Sequence, residues 1–236
     1  MQFGLVGSEM CIRDRTLTVF QRRPNWCKPL RNKPISKSEM DEIRTQYPDI
    51  FRKCQESATC FLHTPDLRNT FDVPPEEREA FWEHQYNEPG FSMWVGGFKD
   101  MMINREANDE VSKFVAKKIR ERVNDPKVAD LLIPTDHGFG TRRVPQESGY
   151  YEVYNQPNVE LVPILDDPIT KITPSGLEQA GRAYEFDMII YATGFDAITG
   201  AFDRIAFSGV GGLTLRDAWS PAPTTYLGIQ TPGFPN

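Results

Sequence analysis

Cysteine, histidine and long apolar runs are all scarce in this sequence of 236 residues. The four cysteines, Cys11, Cys27, Cys54 and Cys60, form no C-x-x-C pair, and His63, His84 and His137 stand far apart, so no metal-ligand spacing exists. Reduced, mostly buried thiols in a cytoplasmic protein are the expectation. The longest apolar stretches, such as Met188–Ala192 and Leu131–Pro134, are too short to cross a bilayer. Positive charge is in deficit as well: 27 Lys and Arg face 33 Asp and Glu, for a net charge of -6. That excludes a broad nucleic-acid face, which needs cations to displace counterions. There is no G-x-S-x-G, no Cys/His pair of catalytic spacing, no pair of carboxylates in defensible register and no internal repeat. What is present is the composition of an ordinary globular protein, 39% hydrophobic and 25% charged.

Residues 1–15 show neither helical nor strand periodicity and no secretory signal. They read as foreign to the protein or as a frayed terminus, and are set aside. The sequence also stops directly after an apolar run, at Gly233-Phe-Pro-Asn236, so both ends are expected to be cut. Leu17-Thr-Val-Phe20 is a strand signal leading into the basic loop Gln21-Arg22-Arg23-Pro24. Ser36-Lys-Ser-Glu39 is a capping box, and its helix is expected to stop near Tyr47, before Pro48. Further helices are expected over Ile50–Phe61, from Pro74-Pro75 to Pro89-Gly90, over Phe91–Ile103 and over Asn104–Val123. In the last of these, Val111, Phe114, Val115, Ile119 and Val123 recur at three and four. After Tyr150 the pattern turns to strands: Tyr150–Tyr154, Val159–Leu165, a hairpin about Pro174-Ser-Gly176, and the apolar run Phe186–Ala192, which suits a parallel strand buried on both faces. A helical stretch between strands predicts an α/β fold, a doubly wound nucleotide-binding sheet interrupted by helices.

Three basic or glycine-bearing spots are candidate sites. Arg22 and Arg23 follow a strand, at the carboxyl edge where doubly wound sheets bind ligands. A guanidinium there can hold an adenosine 2′-phosphate, or the two can be a solvated surface pair. In Gly138-Phe-Gly-Thr-Arg142-Arg143, adjacent side chains of an extended segment point opposite ways. One arginine could therefore face a cofactor phosphate and the other a reaction centre; the competing reading is a surface turn. Ala192-Thr193-Gly194-Phe195-Asp196 is a small-residue turn that lets a cofactor approach the backbone, or simply a tight turn.

In order, the stretches Leu17–Trp26, Asp136–Pro145, Tyr150–Val159, Ala192–Gly200, Thr225–Gly228 and Gly233–Asn236 resemble the type I Baeyer–Villiger monooxygenases, within the flavin-containing monooxygenase group. The resemblance spans residues 16–236. It implies a soluble enzyme that uses FAD and NADPH to insert one atom of O2 beside a ketone carbonyl, giving an ester or lactone by way of a C4a-peroxyflavin. It implies that Arg22, with Arg23 beside it, and Arg142 hold the NADPH phosphate, that Arg143 is the active-site arginine, and that Thr193, Gly194 and Asp196 form the turn back into the FAD domain. Arg23 and Arg142 depart from the family's usual Thr and Lys. The implied organisation is an opening stretch of the NADP-binding domain at 16–35, a helical insertion at 36–135, the rest of that domain at 136–192 and a partial FAD-binding domain at 193–236. The family's glycine fingerprints for both cofactors are absent from this sequence. A flavin-dependent N- or S-oxygenase, or a non-catalytic interaction module built on the helices of 36–124, are the competing readings.

Overall fold

The computed structural model describes residues 15–194 and 199–235. The chain divides into two compact units: residues up to 172 together with 177–183, and residues 173–176 together with 184 onward.

The first unit opens on β1 (Leu17–Gln21), whose β-branched and aromatic residues suit a half-buried pleated surface. It pairs in parallel with β4 (Val159–Pro163), Leu17 opposite Val159 and Gln21 opposite Pro163. A parallel pair needs a crossover, and here the crossover carries six of the eight α-helices among the described residues. β2 (Lys28–Pro29) pairs in parallel with β3 (Gln146–Glu147). β5 (Ile169–Thr173), β6 (Gly176–Gln179) and β7 (Arg182–Glu185) form a three-stranded sheet in that order.

Between β2 and β3 lie six helices: α1 (Lys37–Thr45), α2 (Tyr47–Glu56), α3 (Pro75–Asn87), α4 (Ser92–Val95), α5 (Arg105–Arg122) and α6 (Pro126–Leu131). The capping box at Ser36 and Glu39 forms in both directions. α1 and α2 bury no residue. α5 is the spine of the core. Its N-cap Asn104 accepts from the amides of Glu106 and Ala107, and Val111, Phe114, Val115 and Ile119 are buried, each by about 1.5–3 kcal/mol of transfer free energy. Trp82 and Tyr86 of α3 meet Phe114 with ring centroids 5.7 and 6.1 Å apart. The end of α5 is tied down by Arg122. It pairs with the buried Glu147 at 2.7 Å and with Glu152 at 2.6 Å, and its guanidinium lies 5.0 Å from the Tyr151 ring centroid.

Several expected elements differ. The helix over Phe91–Ile103 shrinks to α4, because Gly96-Gly97 interrupts it and the chain turns to let Asp100 accept from the amide and hydroxyl of Thr70. α1 ends at Thr45, and α2 begins at Tyr47 and ends at Glu56, with Pro48 in its first turn rather than after the preceding helix. Tyr150–Tyr154 is not a strand. It leads into a 3-10 turn at Glu152–Asn155; Val153 and Tyr154 within it and Tyr151 just before it are buried, and the Tyr151 and Val153 spacing mimics alternation. Of the described cysteines only Cys27 is buried; Cys54 is half-buried and Cys60 exposed, and all three are free. Burial pushes the Cys27 thiol up to about 12.

In the second unit the run Phe186–Ala192 forms no strand, and Met188, Ile190 and Tyr191 are exposed. A strand needs a neighbour along its length; the Phe186 amide donates to the Ser175 carbonyl, but no strand pairing among the described residues continues along the run. The unit also holds α7 (Gly200–Asp203), a 3-10 turn at Val210–Gly212 and α8 (Leu215–Ala218), capped by Thr214. Among the described residues no helix is long and apolar enough to cross a membrane.

Candidate functional site

The carboxyl end of β1 is held by the Gln21 carbonyl, which accepts from the Ile164 amide, and by the Gln21 side chain, which donates to the Leu131 carbonyl. Arg22 and Arg23 therefore leave a fixed edge. The second arginine pair hangs from Gly138-Phe-Gly140, which is clamped on α5. Phe139 is fully buried, its amide donates to the Ser112 hydroxyl, and its carbonyl accepts from Asn108. A Cβ on residue 138 would lie 1.7 Å from Asn108 Oδ1, so the segment can lie this close to α5 only as glycine. Gly140 sits at φ +80, where a side chain is strained, and its carbonyl accepts from the Trp94 indole at 3.1 Å.

These two anchors bring Arg23 and Arg142 to one carboxylate. Asp136 Oδ2 accepts from Arg23 at 2.9 Å and from Arg142 at 3.1 Å. Its other oxygen faces His137 Nδ1 at 2.7 Å. The hydrogen bond with His137 holds the Asp136 carboxyl down at about 2; desolvation opposes it, and Arg142 and Arg23 add smaller lowering effects. His137 Nε2 lies 3.1 Å from Asn25 Oδ1, which also accepts from the Trp26 amide, while Asn25 Nδ2 donates to the Arg143 carbonyl at 3.0 Å. The His137 ring thus lies between two side-chain oxygens, those of Asp136 and Asn25. Trp26, itself buried, donates its indole N–H to the His137 carbonyl.

Of the residues singled out in the sequence, Arg23 and Arg142 meet on Asp136. Arg22 is exposed, with no side-chain hydrogen bond or ion pair among the described residues. The Arg143 side chain is likewise exposed and unpaired among them; its backbone alone joins the network. Thr193 and Gly194 belong to the second unit and are exposed, Gly194 at φ +82 with open space around it. Asp196 lies outside the described residues. Asp136, His137 and Asn25 were not singled out from the sequence. The signal was the Asp-His pair directly before Gly-Phe-Gly, the one acid beside a basic cluster.

Two guanidinium groups thus meet on one carboxylate near the end of a parallel strand pair in an α/β fold, and in sequence and structure the chain is similar to Baeyer–Villiger monooxygenases. It is 51% identical over 222 residues to the 2-oxo-Delta(3)-4,5,5-trimethylcyclopentenylacetyl-CoA monooxygenase of Pseudomonas putida, a match covering 94% of this chain and 41% of that protein. It is 39% identical over 222 residues to the acetone monooxygenase (methyl acetate-forming) of Gordonia sp., covering 93% of this chain and 41% of that one. A crystal structure of OTEMO in complex with FAD and NADP superposes with a TM-score of 0.90 at 50% identity, over 95% of this chain and 42% of the other. No protein-family model matches. The chain spans about two-fifths of the length of the relatives it matches.

Proposed function

We propose that the chain is the segment of an FAD- and NADPH-dependent Baeyer–Villiger monooxygenase that receives the adenosine phosphate of NADPH. The observation that carries this is the convergence of Arg23 and Arg142 on Asp136 at the end of β1. The donor set suits a dianion: Arg22, Arg23, Arg142 and Arg143 stand in two short stretches with one carboxylate between them, on a chain whose net charge is -6. Each guanidinium gives one nitrogen to Asp136 and keeps others to offer to phosphate oxygens.

In this reading Arg22, Arg23 and Arg142 bind and orient the nicotinamide cofactor, and Arg143 supplies a fixed cation where negative charge collects on the reacting species. Its backbone is held by Asn25 while its side chain stays unengaged, which suits a group that meets its partner only when ligands bind. Thr193, Gly194 and Asp196 are assigned to the turn towards the flavin. Gly194 fits that role in having a positive φ and room beside it. FAD, when bound, supplies the activation of O2, and the substrate is a ketone converted to an ester or lactone. The P. putida and Gordonia relatives are named as monooxygenases, which supports this reading of the chemistry. The free thiols of Cys27, Cys54 and Cys60 favour a cytoplasmic location.

The test uses the full-length protein. Arg142→Ala is expected to raise the KM for NADPH by much more than that for NADH. Arg143→Ala is expected to stop oxygenation while NADPH-driven flavin reduction persists. Equal effects on both nicotinamides, or normal product from the second variant, would overturn the assignments.

A further inference from the structure

We propose that Asp136 is a positioning residue for the cofactor's adenosine phosphate, a template that presents Arg23 and Arg142 as a pair; this rests on the reading of those arginines as the phosphate site. The arginines come from stretches more than a hundred residues apart, and each has a long side chain with many rotamers. Sharing one oxygen, at 2.9 and 3.1 Å, brings a nitrogen of each guanidinium within about 6 Å of the other, a span one phosphoryl group bridges with an oxygen to each. Asp136 is itself held. His137, nearly buried, takes its second oxygen, and His137 is fixed in turn by Asn25 and by the Trp26 indole on its carbonyl. The carboxylate thus has both oxygens committed and points its two arginines outward. Each arginine keeps donors that Asp136 does not use, so phosphate adds to the arrangement and does not have to displace the carboxylate.

This role has an unusual signature. Asp136→Asn makes the site one charge more positive, and electrostatics alone would then tighten phosphate binding. A template predicts the opposite. The experiment is calorimetric titration of the full-length protein with adenosine 2′,5′-bisphosphate and with adenosine 5′-monophosphate, for wild type, Asp136→Asn and Asp136→Glu. Asp136→Asn is expected to bind the bisphosphate about tenfold more weakly, the scale of one lost charge-assisted hydrogen bond, with the monophosphate unchanged. Asp136→Glu, which keeps the charge on a longer arm, is expected to recover part of the loss. Unchanged or tighter bisphosphate binding in Asp136→Asn would overturn the template. So would an equal loss of both nucleotides with a lowered melting temperature, which marks a purely structural role. If wild type itself fails to prefer the bisphosphate, the phosphate reading falls and the template with it; a wild-type preference that Asp136→Asn retains sinks the template alone.

Discussion

Gly138→Ala is a one-carbon change whose cost can be worked out from its surroundings. The added carbon would lie 1.7 Å from Asn108 Oδ1, so the Asn108 amide must move. That amide is buried and donates to the carbonyls of Met101 at 3.0 Å and Phe139 at 2.8 Å. Losing two such bonds costs about 2–6 kcal/mol, since each buried group left unpaired costs about 1–3 kcal/mol. In a chain of this size that lowers Tm by roughly 4–24 °C. The displaced segment also carries Arg142, so on the proposed phosphate role of that arginine affinity for a nucleotide 2′-phosphate is expected to fall along with stability. The assay is urea denaturation followed by far-UV circular dichroism, for Gly138→Ala, Asn108→Ala and the double variant. Asn108→Ala removes the oxygen in the way, so the second substitution made in that background should add only a few tenths of a kcal/mol. Costs that simply add in the double variant would refute the claim that the two residues compete for the same space.

Arg122→Met should destabilise the chain by about 3–5 kcal/mol in the same assay, because it leaves Glu147 buried without its cation; adding Glu147→Gln should return part of that. Lys28 tests burial of charge. Its side chain is buried, its ammonium donates to the Glu88 and Pro29 carbonyls, and desolvation lowers its pKa from 10.5 to about 8. Between those values the unfolded chain binds more protons, so Lys28 makes stability rise with pH over about 8 to 10.5. Cys27, raised to about 12, works in the opposite direction over part of that window. The difference between wild type and Lys28→Met, measured by urea denaturation at pH 7 and pH 10, isolates the lysine, and a pH-independent difference would contradict the assignment.

The elements written in local chemistry were legible in the sequence. The capping box at Ser36, the proline-led start of α3 and the periodicity of Val111, Phe114, Val115 and Ile119 each depend on residues within a turn or two. Tyr150–Tyr154 misled because short apolar spacings fit a strand and a tight helical turn equally well. Phe186–Ala192 reads as a buried strand, yet strand formation depends on partners that no local pattern encodes. The candidate site divides the same way. The arginines stood out singly, each beside a strand end or a glycine turn. That Arg23 and Arg142 share Asp136 is a contact across 113 residues between the first arginine and the acid, set by β1, α5 and the clamp on Phe139.

Two of the four tryptophans in the sequence grip the segment that leads to the arginines, Trp26 through the His137 carbonyl and Trp94 through that of Gly140. Half of the tryptophans in the sequence therefore touch this corner of the molecule. With Trp82 and Trp219 replaced by Phe, the remaining emission would report solvent entry or rearrangement at residues 137–140 directly, without any attached dye.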